Sequence, residues 1–169
     1  MARLQILEYP DPRLRTRAKP VEVFDSALAR FAEDMLETMY AAPGIGLAAT
    51  QVDFHKRLIV MDVSEGRNEP MTFCNPEIVA AEGTGIGEEG CLSVPGLRGR
   101  VPRFTRLRYT GFDPDGRPIQ REVSGFHARV VQHECDHLDG VLYPMRMQDL
   151  SKLGFIEEMQ RALQSRIED

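Results

Sequence analysis

Six residues, Gln132-His133-Glu134-Cys135-Asp136-His137, restrict what this chain can fold into more than any other stretch, because H-E-x-x-H has a use only on a helix. At about 100° per residue, His133 and His137 stand within roughly 40° of one another, one turn apart on one face. Two imidazoles so placed can close on a single metal ion. Glu134 falls to the side of that face, too far round to be a ligand but able to reach a water on the ion. Cys135 points nearly the opposite way and reads as packing. Val130 and Val131 give the helix apolar surface to bury, Ser124 or Gly125 is its expected start, and Gly140 is a stop just past its last turn. A core helix that happens to carry two histidines is the bland alternative, and it explains one lone histidine better than this pattern.

The helix needs a body to pack on. At 169 residues, 42% hydrophobic and 28% charged, the chain has the length and composition of one ordinary globular domain, and residues 1–169 are read as a single catalytic unit. The prolines at 10, 12 and 20 among Arg13, Arg15, Arg17 and Lys19 suggest an extended arm laid over that body. Leu28, Phe31, Met35 and Met39 recur at helical spacing, so a helix is expected from Asp25 or Ser26 to about Ala42, ended by Pro43-Gly44. Short β-branched segments at 57–63, 71–74, 77–81, 104–109 and 118–123 read as strands, with Asp113-Pro114-Asp115-Gly116 as a hairpin turn. A last amphipathic helix is expected from Asp149 to Arg166. The fold class is therefore α+β: mainly antiparallel sheets around a central helix bearing the histidines, with an N-terminal and a C-terminal helix.

The net charge of −5 gives no reason to expect membrane or sequence-specific nucleic-acid binding. The run from Arg98 to Arg108 reads as the wet face of a strand. No apolar run approaches the roughly 20 residues that span a bilayer, and Met-Ala-Arg-Leu-Gln at the start lacks the apolar core of a signal peptide. Cys74, Cys91 and Cys135 are odd in number and widely spaced, which is no disulfide framework; a reducing cytoplasm is the expected home. Gly44-Ile45-Gly46 and Gly85-Ile86-Gly87 each imitate a dinucleotide fingerprint, but neither follows a strand and opens a helix, so both are set aside.

A catalytic site of this kind wants a third protein ligand and one open position. A metzincin pattern fails because its last histidine position holds Tyr143. Glu157 or Glu158, on the expected last helix, would make a zinc endopeptidase with a carboxylate ligand, although a solvated helix face also accounts for them. Cys91, in Glu89-Gly90-Cys91-Leu92-Ser93, is the remaining candidate: a thiol on a bend, beside a glycine that admits close backbone approach.

Here three motifs coincide. Residues 44–51 (GIGLAATQ) match GxGLAAxQ, residues 89–93 are EGCLS, and residues 132–140 (QHECDHLDG) match QHExDHLxG. In that order the chain resembles the peptide deformylases over essentially its whole length. The resemblance implies that Cys91, His133 and His137 bind one divalent ion, that Glu134 is the acid/base, and that the Gln51 amide and the Leu92 backbone N–H stabilise the oxyanion. It implies removal of the formyl group from N-formylmethionyl nascent peptides, with the ribosome as a transient partner. Ile45, Gly46 and Gly90 would line the peptide groove, and Ile45, Phe126, Arg129 and Val130 the methionine pocket. Two imidazoles and a thiolate leave a formal charge near +1, a soft site acceptable to Fe²⁺, Co²⁺, Ni²⁺ or Zn²⁺; the resemblance implies Fe²⁺ natively, replaced by the others on purification. Two positions depart from the family pattern: Gly87, near where many relatives have a bulky pocket wall, and Arg129, charged where many bacterial relatives are aliphatic.

Overall fold

In the computed structural model, which describes residues 2–155, the N-terminal arm is pinned rather than loose. Leu7 N donates to Gln51 O, Tyr9 N to Ser93 O and Ala18 N to Leu138 O, while Leu7, Leu14, Ala18 and Val21 bury their side chains. Helix α1 follows at Ser26–Ala41, its N-terminus capped by Asp25 Oδ1 accepting from Leu28 N. Its buried stripe is Leu28, Ala32, Met35 and Met39.

Among the described residues eight strands follow the arm and α1: β1 Gly46–Ala48, β2 Leu58–Met61, β3 Met71–Glu82, β4 Gly85–Cys91, β5 Val94–Arg103, β6 Arg106–Phe112, β7 Pro118–Ser124 and β8 Gly154–Phe155. They form a five-stranded sheet in the order β1-β2-β3-β6-β7 and a three-stranded sheet β4-β5-β8, with every pairing antiparallel. Helix α2, Gly125–Leu138, carries the histidines.

β2 is the hinge of the packing. All four of its residues are buried, and its pleat sends them alternately to two cores. Ile59 and Met61 join Phe73, Leu107, Tyr109, Val131 and Leu138 under α2. Leu58 and Val60 join Leu28, Met35, Met39 and Leu47 under α1. A third cluster of Leu7, Leu14, Val94, Val101, Leu142 and Tyr143 fastens the arm to the small sheet.

Three expectations change. The segments expected at 71–74 and 77–81 are one strand, β3, with a bulge between Cys74 and Glu77. Asn75 sits there at φ 50°, and its side chain accepts from Val21 N and donates to Val21 O, so Pro76 costs no ladder bond. No strand is expected over 85–91, yet Gly85 and Gly87 lie within β4, paired with Arg103 and Val101 of β5, and Gly90 falls at the register shift between Glu89 and Cys91. The helix expected from Asp149 is absent over its first residues: Leu150–Lys152 is a short 3₁₀ turn and β8 pairs with Leu97 and Arg98 of β5. The rest of that expected helix, with Glu157 and Glu158, lies outside the described residues.

Candidate metal centre

Helix α2 starts where β7 ends. Ser124 is extended at the cap, Gly125 takes φ 59°, and Gly140 takes φ 75° just beyond the last turn, a left-handed conformation that glycine adopts at no steric cost. Ala128, Val131 and Leu138 bury one side of the helix in the core, which sets His133, Glu134 and His137 towards β4 and β1. All three are buried. Cys91, the last residue of β4, arrives from the other sheet. One ligand atom from each of Cys91, His133 and His137 lies within 4.8 Å of the other two. Cys91 Sγ is 3.3 Å from His137 Nε2, and the two imidazole rings cross at 65° with centroids 5.0 Å apart.

The donor set suits a divalent ion on several independent grounds. His133 Nδ1 meets Glu89 Oε1 at 2.8 Å, which turns Nε2 of that ring towards the cluster. Burial pulls His137 well below the ordinary imidazole value, and the positive charge of His133 and Arg103 acts the same way, so its ring stays neutral with a lone pair to give. Cys91 Sγ accepts from Ser93 N at 3.4 Å and from Gln51 Nε2 at 3.7 Å, contacts that hold the sulfur beside the two rings. Among the described residues, Glu134 Oε2 is a buried polar atom without a hydrogen-bond partner, the kind of group a water on an ion would satisfy. Burial raises the Glu134 carboxyl to about 7, with the charge of Glu89 adding to the rise against the opposing pull of His133.

Glu89 is the residue that sequence reasoning left without a role. Its Oε1 takes His133 Nδ1 and Arg103 Nη2; its Oε2 takes Arg103 Nε at 2.9 Å and Arg129 Nη1 at 2.7 Å. Burial would raise its carboxyl, but hydrogen bonds from His133 and Arg103 hold it at about 2. Arg103 also reaches Asp136 Oδ2 at 2.6 Å and is 6% exposed, so the arginine run is not wholly wet. The signal was there: counting by twos along β5, Arg103 shares a face with Gly99 and Val101, all three buried. Tyr143, which occupies the failed metzincin position, stacks on His133 at 26° with centroids 6.1 Å apart.

A cavity of about 420 Å³ opens beside this cluster, lined among others by Ile45, Gly46, Gln51, Gly90, Cys91, Leu92, Phe126, Arg129, Val130, His133 and Glu134. Every residue expected to touch substrate is therefore at one opening. Gln51 is buried, its Oε1 accepting from Ala48 N and its Nε2 donating to Ser93 Oγ at 3.0 Å. A Cβ at Gly46 would stand 2.9 Å from the Glu134 carboxyl, so a side chain there would displace it. Arg129 is not a loose charge in the pocket. Its guanidinium is tied to Glu89, Val101 O and Gly85 O and occupies the space over Gly87, where a Cβ would lie 2.9 Å from it.

The family model for polypeptide deformylase matches residues 3–153. A peptide deformylase from Chromobacterium violaceum is 55% identical over 152 residues, covering 90% of this chain and 91% of that one; one from Pseudomonas aeruginosa is 55% identical over 144 residues, covering 85% and 86%. Among solved structures, the peptide deformylase of Thermotoga maritima superposes with a TM-score of 0.85 at 42% identity, covering 88% of this chain and all of its own. That of Ehrlichia chaffeensis in complex with actinonin gives 0.85 at 36%, covering 90% and 92%.

Proposed function

The chain belongs to the polypeptide deformylase family, and from that membership we propose that Cys91, His133 and His137 hold one divalent ion while Glu134 moves the proton. The chain is a metal-dependent hydrolase that removes the formyl group from the N-terminal methionine of new polypeptides and releases formate. The observation that carries the residue assignment is the meeting of a β4 thiol and two α2 imidazoles within 4.8 Å, beside a buried, unpartnered Glu134 oxygen.

A divalent ion held there supplies Lewis acidity, lowering the pKa of water from about 15.7 towards 7. The rest is done by the chain. Glu134, with a carboxyl near 7, takes a proton as water attacks the formyl carbon and gives one back to the leaving amine. Gln51 and the Leu92 backbone N–H receive the developing oxyanion; losing one such donor typically costs about 10²–10³ in turnover. Ile45, Gly46 and Gly90 align the peptide strand-fashion, and Phe126, Val130 and the stem of Arg129 enclose the methionine side chain.

The thiolate and two imidazoles form a borderline-soft set, which favours Fe²⁺ in the cell and admits Zn²⁺, Ni²⁺ or Co²⁺ in its place. Cys74, Cys91 and Cys135 are all free thiols, in keeping with a cytoplasmic enzyme that meets its N-formylmethionyl substrates at the ribosome. Residues 1–169 act as one catalytic unit in this reading.

The test is anaerobic purification, metal analysis and formate release from formyl-Met-Ala-Ser, with Glu134→Ala as control. Stoichiometric metal and formate from the wild type, with metal but no formate from the variant, is the expected result. The rival endopeptidase with a carboxylate ligand predicts that Cys91→Ser keeps full metal affinity; here Cys91→Ser loses it or changes its metal preference.

A further inference from the structure

The Gly44–Gly46 strap along the cavity is held from two sides, and only one of them belongs to the site described above. On the cavity side Leu92 Cδ1 fills the space of the missing Gly44 side chain, 2.7 Å from where a Cβ would stand, and the Glu134 carboxyl does the same at Gly46. The strap's position therefore sets where both groups rest.

On the far side stands a cluster that the chemistry does not use. Asp62 N donates to Ile45 O at 2.8 Å. Arg67 spreads its guanidinium between two carbonyls, Nη2 donating to Gly44 O and Nη1 to Asp62 O at 2.8 Å. The same guanidinium lies over the Tyr40 ring, 5.1 Å from its centroid, and the Tyr40 hydroxyl donates to Asp62 Oδ2 at 2.5 Å. Ser64 N, Ser64 Oγ and Glu69 N complete the partners of the Asp62 carboxylate. Arg67 itself is held at φ 54°, a left-handed conformation uncommon for a residue with a side chain and often kept for a functional reason. A turn that needed only its backbone shape would be better served by glycine. What arginine adds is the fork, and the fork ends on a carbonyl of the strap.

We propose that Arg67 is a positioning residue for deformylation: its fork clamps Gly44 O to Asp62 O, and so keeps Gly46 against Glu134 and Gly44 against Leu92. The inference rests on the role assigned above to Ile45 and Gly46 in aligning the peptide, so its first readout is KM.

Arg67→Gly isolates the side chain, because glycine accepts the left-handed backbone without strain. With formyl-Met-Ala-Ser, KM should rise about tenfold from a misplaced strap, with kcat within about threefold, metal content unchanged and exchange of the Ile45 and Gly46 amides faster. Arg67→Lys should fail to restore KM, because one ammonium cannot span two carbonyls in a fixed plane. Formate release by the wild type together with a KM in Arg67→Gly within about twofold of it, whatever the melting temperature does, would overturn the clamp alone. No formate from the metal-replete wild type would overturn the clamp and the functional reading together.

Discussion

Glu89 shows how much one carboxylate can carry when it is buried beside cations. It is 6% exposed and serves two arginines and one candidate ligand, so its charge is neutralised several times over. Removing it leaves Arg103 buried with Asp136 as its remaining carboxylate, and unpairing a buried charge costs about 3–5 kcal/mol. Glu89→Ala should therefore lower the melting temperature by roughly 10 °C, and should weaken metal binding by about 10–100-fold because His133 loses the group that orients it. Thermal unfolding and chelator competition measure the two effects separately. Gly87 and Arg129 make a second testable pair, since the guanidinium sits where a Gly87 side chain would begin. Gly87→Ala alone should displace it and cost about 1 kcal/mol in lost hydrogen bonding. In an Arg129→Met background the same change should cost nearly nothing, and a double-mutant cycle by denaturant unfolding reads the coupling. Additive effects would mean that the two positions do not share space.

At the scale of elements, Asp62 closes β2 and ties its end to α1 and to the 62–69 turn. Burial alone would raise its carboxyl, but hydrogen bonds from Ser64, Tyr40 and the Glu69 amide hold it at about 2. A folded value below the ordinary 3.9 or so means that the ionised carboxylate stabilises the fold above about pH 4. That contribution is lost as pH falls towards 2. The gap in urea midpoint between wild type and Asp62→Asn should thus narrow from pH 6 to pH 2.5, and a constant gap would count against the role given to ionisation. The same elements show what could be read in advance. Helix α1 was legible to within a residue because a capping Asp25 and a 3.6-residue stripe agree. The metal-bearing helix was legible because H-E-x-x-H fixes its own geometry. β4 was not, since Gly85, Gly87 and Gly90 have poor strand propensity and the strand is made by the pairing of residues 85–89 with β5. Residues 150–155 depart from the expected helix for a related reason: their apolar spacing is helical, but the free edge of β5 captures Gly154 and Phe155. Residue type alone puts Arg103 on the surface, as it does most arginines, and only its phase with Val101 argues otherwise.

At the scale of the molecule, the candidate centre lies between two sheets that no strand pairing joins among the described residues. The five-stranded sheet carries α2 with both histidines, and the three-stranded sheet delivers Cys91. Beyond the apolar packing of Leu7, Leu14, Val94, Val101 and Tyr143, the small sheet is tied to α2 through Glu89, Arg103 and Arg129. An ion on Cys91, His133 and His137 would be one more tie across that seam. Because it binds the folded state alone, it adds RT ln(1 + [M]/Kd), about 2.7 kcal/mol at a hundred times Kd. Stripping it should therefore lower the melting temperature unevenly. Amides of β4 and β5 should lose exchange protection by a larger factor than those of β2, buried between the cores under α1 and α2, and of β3, paired on both edges by β2 and β6, whether or not the ion is bound. Cys91→Ser should show the stripped pattern even in excess metal, with β2 and β3 protected as in the wild type. Equal loss of protection across both sheets would mean that they unfold as one unit and that the ion does not bridge a mechanical seam.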